Sequence, residues 1–262
     1  MEEKSGERYL GDLLSVKGTN IENIKTRVAK GSGIIKRILI MLNGIPLGNR
    51  YFEVAVILRE SLLVSRLLFN SEAWYHITDK ELDLLETVDT SFLRKILKAP
   101  NSTPKELLFL ELGCKPLRDI IRERRLSFFH YILNEKKEST INRFLWTQIR
   151  KCSKKDWVMT VFKDLNYLDI ECSNLEVIKN MKKETFMKIV KTRNEVKSFE
   201  RLEKTKETHS KVNKVKHDRI IMQKYLKASN IVISKEIAQQ IFKIRCRVTD
   251  VKTNFKGKYD DM

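Results

Sequence analysis

The sequence predicts an all-α fold from its composition and its periodicity. The chain has 262 residues with nine Gly and four Pro, too few turn-forming residues for a protein built of many short strands. Apolar residues recur at spacings of three and four, which is typical of helices that bury one face. We therefore expect a multi-helix bundle, with room for a short N-terminal hairpin near Tyr9–Leu14 and a basic helical C-terminal extension.

Several segments begin with a helix start signal. In a capping box, a Ser or Thr hydroxyl and a Glu three residues later each accept a hydrogen bond from an unpaired backbone N–H. Three pairs have this spacing: Thr19 and Glu22, Thr78 and Glu81, and Thr103 and Glu106. Pro104 suits the first position of a helix, because its missing N–H costs nothing there. Ser234 is a weaker cap.

The apolar periodicity then predicts where the helices run. Asn43-Gly44 ends the first helix, and Pro100 ends the helix with Leu85 and Phe92. The helix from Lys183 has little apolar face, so it either projects or docks weakly. The predicted helices cover residues 21–42, 51–69, 82–96, 107–112, 117–133, 141–150, 153–168, 183–206, 212–228 and 234–248.

Two of these helices carry arginines among apolar residues. The helix after Pro116 is apolar on two opposite faces, and Arg124 lies in the middle of one of them. A charge there needs a partner or a route to water. Either a nearby carboxylate or a nucleic-acid phosphate would satisfy it. On the helix from Tyr51, Glu53 and Glu60 face the same way, and Arg59 and Arg66 are near enough to neutralise them. This pattern predicts ion pairing and not metal binding.

The charge is strongly basic and unevenly distributed. Lys and Arg number 52 against 34 Asp and Glu, a formal net charge of +18. Residues 191–262 hold 19 cations and nine acids, so under a third of the chain carries more than half of the excess. Such a basic region suggests a polyanionic partner, either nucleic acid or an acidic membrane surface, although a solvated Lys-rich helix is also common.

The cysteines and the N-terminus indicate a location inside the cell, nuclear or cytoplasmic. Cys114, Cys152, Cys172 and Cys246 form no C-x-x-C pair, so we expect four reduced thiols and no disulfide framework or zinc site. The first ten residues have no apolar signal region. The longest apolar stretch, residues 54–69, contains three charges and is not expected to span a bilayer.

No catalytic constellation stands out, so we expect no enzyme activity, no cofactor, no metal site and no small-molecule substrate. The histidines are scattered, at His76, His130, His209 and His217, and a catalytic His needs partners within reach. Neither a phosphate-binding G-x-x-x-x-G-K-[ST] loop nor a G-x-S-x-G elbow occurs. Asp260-Asp261 is a carboxylate pair, but it lies in a terminal Lys- and Gly-rich stretch that is not expected to preorganise a metal site.

A series of short motifs resembles the region after the polymerase core of non-LTR (LINE-type) retrotransposon reverse transcriptases. The segment from Leu67 to Trp74, L-L-F-N-S-E-A-W, resembles the family's L-L-x-x-S-E-x-W. The other matching segments, in the family's order, are Tyr9–Asp12, Leu85-Glu86 with Asp89, Leu93–Leu97, Pro100, Phe109–Gly113 (F-L-E-L-G), Pro116–Arg118, Arg124–Leu126, His130-Tyr131, Phe242–Arg247 and Asn254-Phe255.

The resemblance implies a thumb and post-thumb helical region. On that basis residues 1–18 are a remnant of the palm end, residues 19–180 a thumb-like helical bundle, and residues 181–262 a basic helical C-terminal region. The sequence departs from the family in lacking the fingers and palm, the Tyr-x-Asp-Asp motif that holds the catalytic metals, an endonuclease domain and the terminal Cys-x-x-Cys knuckle. Without those carboxylates we expect no polymerase activity from this chain.

The function expected from the resemblance is binding to the backbone of a template–primer, as RNA, DNA or a hybrid. Thumb-type helices do this with Lys and Arg on a helix face. The candidate binding residues are Lys25, Arg27, Lys30, Arg124, Lys204, Lys206, Lys211, Lys214, Lys216 and Arg219.

Two other hypotheses remain open at this point. The bundle could be a protein-interaction scaffold, with an exposed apolar face near Tyr9–Leu14 and the first helix. It could also be a transposon remnant without function, although intact capping and periodicity count against long decay.

Overall fold

The computed structural model of the chain describes most of its length. The residues described are 6–9, 12–15, 20–44, 50–75, 77–151, 153, 156–171, 175–209, 215, 217, 219–227 and 233–246, with the backbone alone for 6–9 and 12–15. The expected all-α, multi-helix fold is confirmed. The described N-terminal residues form the expected hairpin, in which β1 (Gly6–Tyr9) pairs antiparallel with β2 (Asp12–Ser15).

The helices follow in the predicted order with three differences. A π-helical segment, Arg59–Val64, interrupts the predicted helix from Tyr51, helix α9 was not predicted, and residues 219–223 are not helical. The α-helices are α1 (Ile21–Gly44), α2 (Tyr51–Leu58), α3 (Ser65–Leu67), α4 (Asp79–Leu97), α5 (Lys105–Leu112), α6 (Leu117–Asn134), α7 (Thr140–Lys151), α8 (Trp157–Tyr167), α9 (Leu175–Asn180), α10 (Lys183–Thr208) and α11 (Lys235–Arg245). Short 3₁₀ turns cover Ser71–Ala73 and Lys224–Leu226.

The chain divides into two compact units that alternate along the sequence. Unit 1 comprises residues 1–30, 66–86 and 117–197, and unit 2 comprises residues 31–65, 87–116 and 198–262. The division falls inside α1, α3, α4 and α10. It is a different partition from the three consecutive regions that the sequence suggested, which stay a prediction.

The core of unit 1 is an apolar cluster centred on α6. Leu126, Phe129 and Leu133 of α6 are buried, together with Val161 and Leu165 of α8. Phe186 and Val190 of α10 join the same cluster, so the first half of α10 docks firmly even though its sequence is only weakly apolar. Trp157 packs partly buried against this cluster, close to Phe128 and Phe129.

The helix starts show which capping signals form. Thr78 and Glu81 make the predicted box, with the Thr78 N–H donating to Glu81 Oε2 at 2.7 Å. Ser234 accepts from the N–H of Ile237 and caps α11. The predicted box at Thr103 is absent, because α5 begins one residue later with Pro104 at its N-cap, and the buried Thr103 hydroxyl bonds to none of the described residues.

Arg59, at the start of the π-helical segment, is a fully buried charge of unit 2. Its guanidinium forms a bidentate salt bridge with Asp89 of α4. Nε donates to Oδ1 at 2.7 Å, and Nη2 donates to Oδ2 at 2.6 Å. Nη2 also donates to the carbonyl of Lys115 at 2.9 Å, and neither charged side chain of the pair is exposed. Burial opposes the charge on Arg59, but the attraction of Asp89 outweighs it and raises the pKa. The partner is thus Asp89, and not the Glu53 or Glu60 that the local spacing suggested.

We expect Asp89→Ala to lower the free energy of unfolding by about 3–5 kcal/mol, because it leaves a buried guanidinium without its counter-charge. Urea unfolding followed by circular dichroism measures this. Glu60→Gln, which removes a neighbouring exposed carboxylate, should change stability by less than about 0.5 kcal/mol. The double variant Arg59→Met/Asp89→Leu should recover most of the loss, and a loss below about 1 kcal/mol for Asp89→Ala would contradict this interpretation.

A second buried acid in unit 2, Glu111 of α5, collects partners from the C-terminal part of the chain. Tyr225 donates its hydroxyl to Glu111 Oε2 at 2.6 Å, and Arg245 donates Nε to Oε1 at 2.7 Å. His217 Nε2 lies 3.1 Å from Oε1, and the Gln223 N–H donates to the Glu111 carbonyl at 2.9 Å. One side chain therefore attaches three separate stretches of the C-terminal region to α5.

The same attachment explains why the helix predicted over residues 212–228 is wrong where the structure describes it. Met222 forms an antiparallel bridge with Leu112, so its backbone is extended instead of helical. The close approach is possible because the helix ends at Gly113 in the left-handed conformation, where a Cβ would collide with the backbone of Ile221 and Met222. Backbone pairing to α5 overrides the helical propensity of this segment.

Glu111 predicts a component of stability that depends on pH. Burial alone would raise its pKa, but the hydrogen bonds from His217, Tyr225 and Arg245 outweigh burial and hold the pKa below the usual 4.5. Because the native pKa lies below the unfolded value, this contribution is complete above about pH 4.5 and is lost as the pH falls through the native pKa. We therefore expect the stability difference between wild type and Glu111→Gln to shrink when urea unfolding is repeated from pH 7 down to pH 3.

Tyr225→Phe removes one of the three donors and should show a smaller change over the same pH range. A wild-type advantage over Glu111→Gln that stays constant from pH 7 to pH 3 would contradict this role for the carboxylate.

Candidate nucleic-acid interface

The predicted binding residues fall into three groups in the structure. Lys211, Lys214 and Lys216 lie outside the described residues. Arg27 and Arg124 are bonded inside unit 1 to backbone carbonyls. The others are on the surface or close to it, and they are Lys25, Lys30, Lys204, Lys206 and Arg219.

Arg27 is a structural residue that holds the turn after α3. Its Nη1 donates to the carbonyl of Arg66 at 2.9 Å and, more weakly, to that of Leu67 at 3.4 Å. The guanidinium also lies 5.1 Å from the ring centroid of Trp74, which is buried. Arg27 is itself only 7% exposed, so its charge is not available to an outside phosphate.

Arg124 holds the same turn from the other side. Its Nη1 donates to the carbonyl of Leu68, a backbone partner that the sequence did not suggest. Trp157 donates its indole N–H to the carbonyl of Glu72 at 2.8 Å, and Asn20 donates to that of Tyr75. The L-L-F-N-S-E-A-W segment is thus a turn whose carbonyls are satisfied by surrounding side chains, as buried backbone acceptors require.

Arg27 is therefore corrected from a candidate phosphate contact to a positioning group, whereas the half-buried Arg124 positions this turn and its phosphate contact stays a prediction. The burial of Arg27 could have been found in the sequence, because it lies on the same helix face as Ile24 and Gly31, which are also buried. The carbonyl partner of Arg124 could not have been predicted from the sequence, because Leu68 lies 56 residues away from it.

The predicted residues at the surface differ in whether their charge is already paired. Lys25 pairs with Glu22 at 3.1 Å on α1, and Lys206 pairs with Glu203 at 2.7 Å on α10. Lys30, Lys204 and Arg219 are exposed and form no ion pair with another described residue.

Helix α7 in unit 1 carries a basic face that the sequence analysis did not single out. Its sequence, T-I-N-R-F-L-W-T-Q-I-R-K, contains three cations and no carboxylate. Arg143, Arg150 and Lys151 are all exposed, and none forms an ion pair with another described residue. Phe144 lies between them on the outward side, 61% exposed. The absence of any acid on this helix is the sequence signal that could have revealed it.

The inner side of α7 is firmly attached, which fixes the direction of the outward face. Leu145 is buried in the core of unit 1, and Trp146 and Ile149 pack against that core. Asn142 donates its side-chain amide to the carbonyl of Ile132 at 2.9 Å, and its own N–H donates to Ser139 Oγ. Because these contacts hold the helix from inside, Arg143, Phe144 and Lys151 point outward together.

A shallow groove along α10 has a mixed character by comparison. It has a volume of roughly 560 Å³ and is lined by Lys183, Lys188 and Lys191 but also by Glu184 and Glu195. Alternating charges of both signs give little net attraction for a polyanion. The outward face of α7 is therefore the stronger candidate for an anionic partner.

The part of the chain that the structure describes shows neither a metal-binding cluster nor a membrane-spanning helix. No cluster of three or more His, Cys, Asp or Glu residues there has the geometry to hold a metal ion. Among the described helices, none combines the length and apolar character that crossing a membrane requires.

The chain matches no protein-family model, no curated protein and no solved structure. The fold and the surface therefore define only a class: an all-α, multi-helix protein with an outward basic helix face on α7.

We expect Arg27→Gln to lower the free energy of unfolding by about 2 kcal/mol, because it removes charged hydrogen bonds from two carbonyls. The matched control is Lys30→Gln, three residues along α1, which removes the same charge from an exposed position and should change stability by less than about 0.5 kcal/mol. Thermal and urea unfolding compare the two variants. Equal effects would contradict a structural role for Arg27.

Proposed function

We propose that this chain is a thumb-like fragment of a non-LTR retrotransposon reverse transcriptase that binds nucleic acid through the phosphate backbone. The ordered motifs from Tyr9 to Phe255 support the family, and the all-α architecture is compatible with it. The fragment has no polymerase activity of its own in this proposal, because the Tyr-x-Asp-Asp carboxylates that would hold the catalytic metals are missing from the sequence.

The outward face of α7 is the observation that carries the binding proposal. Its cations are exposed and free of carboxylate partners among the described residues, so a phosphate would displace only water and counterions. Neutralising phosphates releases the counterions condensed on the nucleic acid, which is the main driving force of backbone binding. Lys30 of α1, which is also exposed in unit 1, is a further candidate contact.

Removing the charge from α7 should weaken binding in a salt-dependent way. We expect Arg143→Gln/Lys151→Gln to weaken binding to a fluorescein-labelled RNA–DNA hybrid. The slope of log affinity against log salt should become shallower by about 1.5–2, since two phosphate contacts are lost. Fluorescence anisotropy at several salt concentrations measures both quantities.

A matched control removes the same charge from cations that already have partners. Lys25→Gln/Lys206→Gln takes away two positive charges whose carboxylates are Glu22 and Glu203. This control should leave the salt slope nearly unchanged. If both double variants reduced binding equally, net charge and not the α7 face would be responsible, and the proposal would fail.

A protein-interaction scaffold is the second candidate, and α11 in unit 2 favours it. The buried side of α11 holds Ala238 and Phe242, while Ile237 and Ile244 on the opposite side are more than half exposed. An apolar stripe facing outward is typical of a helix that meets a partner. The side chains of the Tyr9–Leu14 region, where the sequence placed such a face, lie outside the described residues. A wild-type chain that bound no nucleic acid would favour this second candidate.

A further inference from the structure

The phenyl ring of Phe144 is in an unusual position for a large aromatic side chain. It is 61% exposed on a helix whose apolar side already packs against the core of unit 1 through Leu145 and Trp146. The ring therefore contributes little to the core. Arg143 precedes it directly in sequence, and Thr147 and Lys151 follow it by about one and two helical turns.

This combination is suited to unpaired nucleotides. An exposed aromatic ring next to cations forms a stacking platform, in which the ring stacks on a base while the cations contact the flanking phosphates. In a duplex the base faces are already stacked, so a ring on a rigid helix gains little there. We propose that α7 is a binding platform for single-stranded nucleic acid, with Phe144 stacking on a base and Arg143 and Lys151 contacting the adjoining phosphates.

The proposal rests on the proposed function and adds to its phosphate contacts a stacking contact that only strands with accessible bases can make. An anionic membrane surface is the other partner that basic and apolar groups together would suit. Interfacial helices insert a continuous apolar face into the lipid. On α7 that face is directed into the protein, with Leu145 buried and Trp146 and Ile149 packed against the core. What remains outside is Phe144 and the partly exposed Ile141, which favours the nucleic acid.

The test compares Phe144→Leu with wild type on three probes, each at the same series of salt concentrations. The probes are a fluorescein-labelled single-stranded oligonucleotide, a blunt duplex with the same number of phosphates, and vesicles with a high fraction of anionic lipid. Leu keeps apolar area but has no π-face. We expect about a tenfold loss of affinity for the single strand, equivalent to ~1.4 kcal/mol, no change for the duplex, and no change in salt slope. Phe144→Trp should bind the single strand at least as tightly as wild type.

Other outcomes overturn the proposal in distinguishable ways. An unchanged single-strand affinity for Phe144→Leu removes the stacking role, while the slope change of Arg143→Gln/Lys151→Gln would still support backbone binding. Equal losses on single strand and duplex mean that the ring acts through the fold. Wild-type binding to vesicles that exceeds binding to the oligonucleotide and depends on Phe144 points to a membrane surface. No binding of wild type to either nucleic acid overturns both proposals.

Discussion

The structure depends on how its buried arginines are satisfied. A guanidinium without partners in an apolar interior is strongly destabilising. The buried arginines Arg59, Arg27 and Arg125 each have specific hydrogen-bond or ion-pair partners. Arg59 is matched by Asp89 and the carbonyl of Lys115, and Arg27 by the carbonyls of residues 66 and 67. Arg125 donates to Asp164 in the core of unit 1. These groups connect segments that are distant in sequence, so they determine where turns and helices are placed within each unit.

The same constraint separates the cations by role. Those that are bonded inside a unit, such as Arg27 and Arg124, serve the fold even though the charge pattern alone made them candidates for phosphate binding. Lys25 and Lys206 are paired with neighbouring acids. Arg143 and Lys151, by contrast, are exposed on a helix without carboxylates. A net charge of +18 therefore says less about function than the local balance on one helix face does.

Local signals predicted the elements well, and non-local pairing explains the differences. The capping box at Thr78 and the C-cap at Gly113 could be predicted because their partners lie within four residues. The pairing of Arg59, at the start of the π-helical segment, could not be predicted, because its partner Asp89 is 30 residues away. The helix predicted over residues 212–228 failed because Met222 pairs with Leu112 on a distant helix. For the candidate site, spacing located basic helices but could not distinguish buried cations from exposed ones, and it missed the basic face of α7 although it predicted the helix.

The most direct test of backbone binding uses the wild-type chain and a competitor that matches only charge. Anisotropy of a labelled RNA–DNA hybrid would be measured over a range of salt, with and without polyglutamate at the same concentration of negative charge. The account predicts that the hybrid stays bound in the presence of polyglutamate. It also predicts a log–log salt slope of about −2 to −3 or steeper, from at least the three cations of α7. Displacement of the hybrid in proportion to the added charge would contradict the account. It would mean that the basic surface binds any polyanion without specificity.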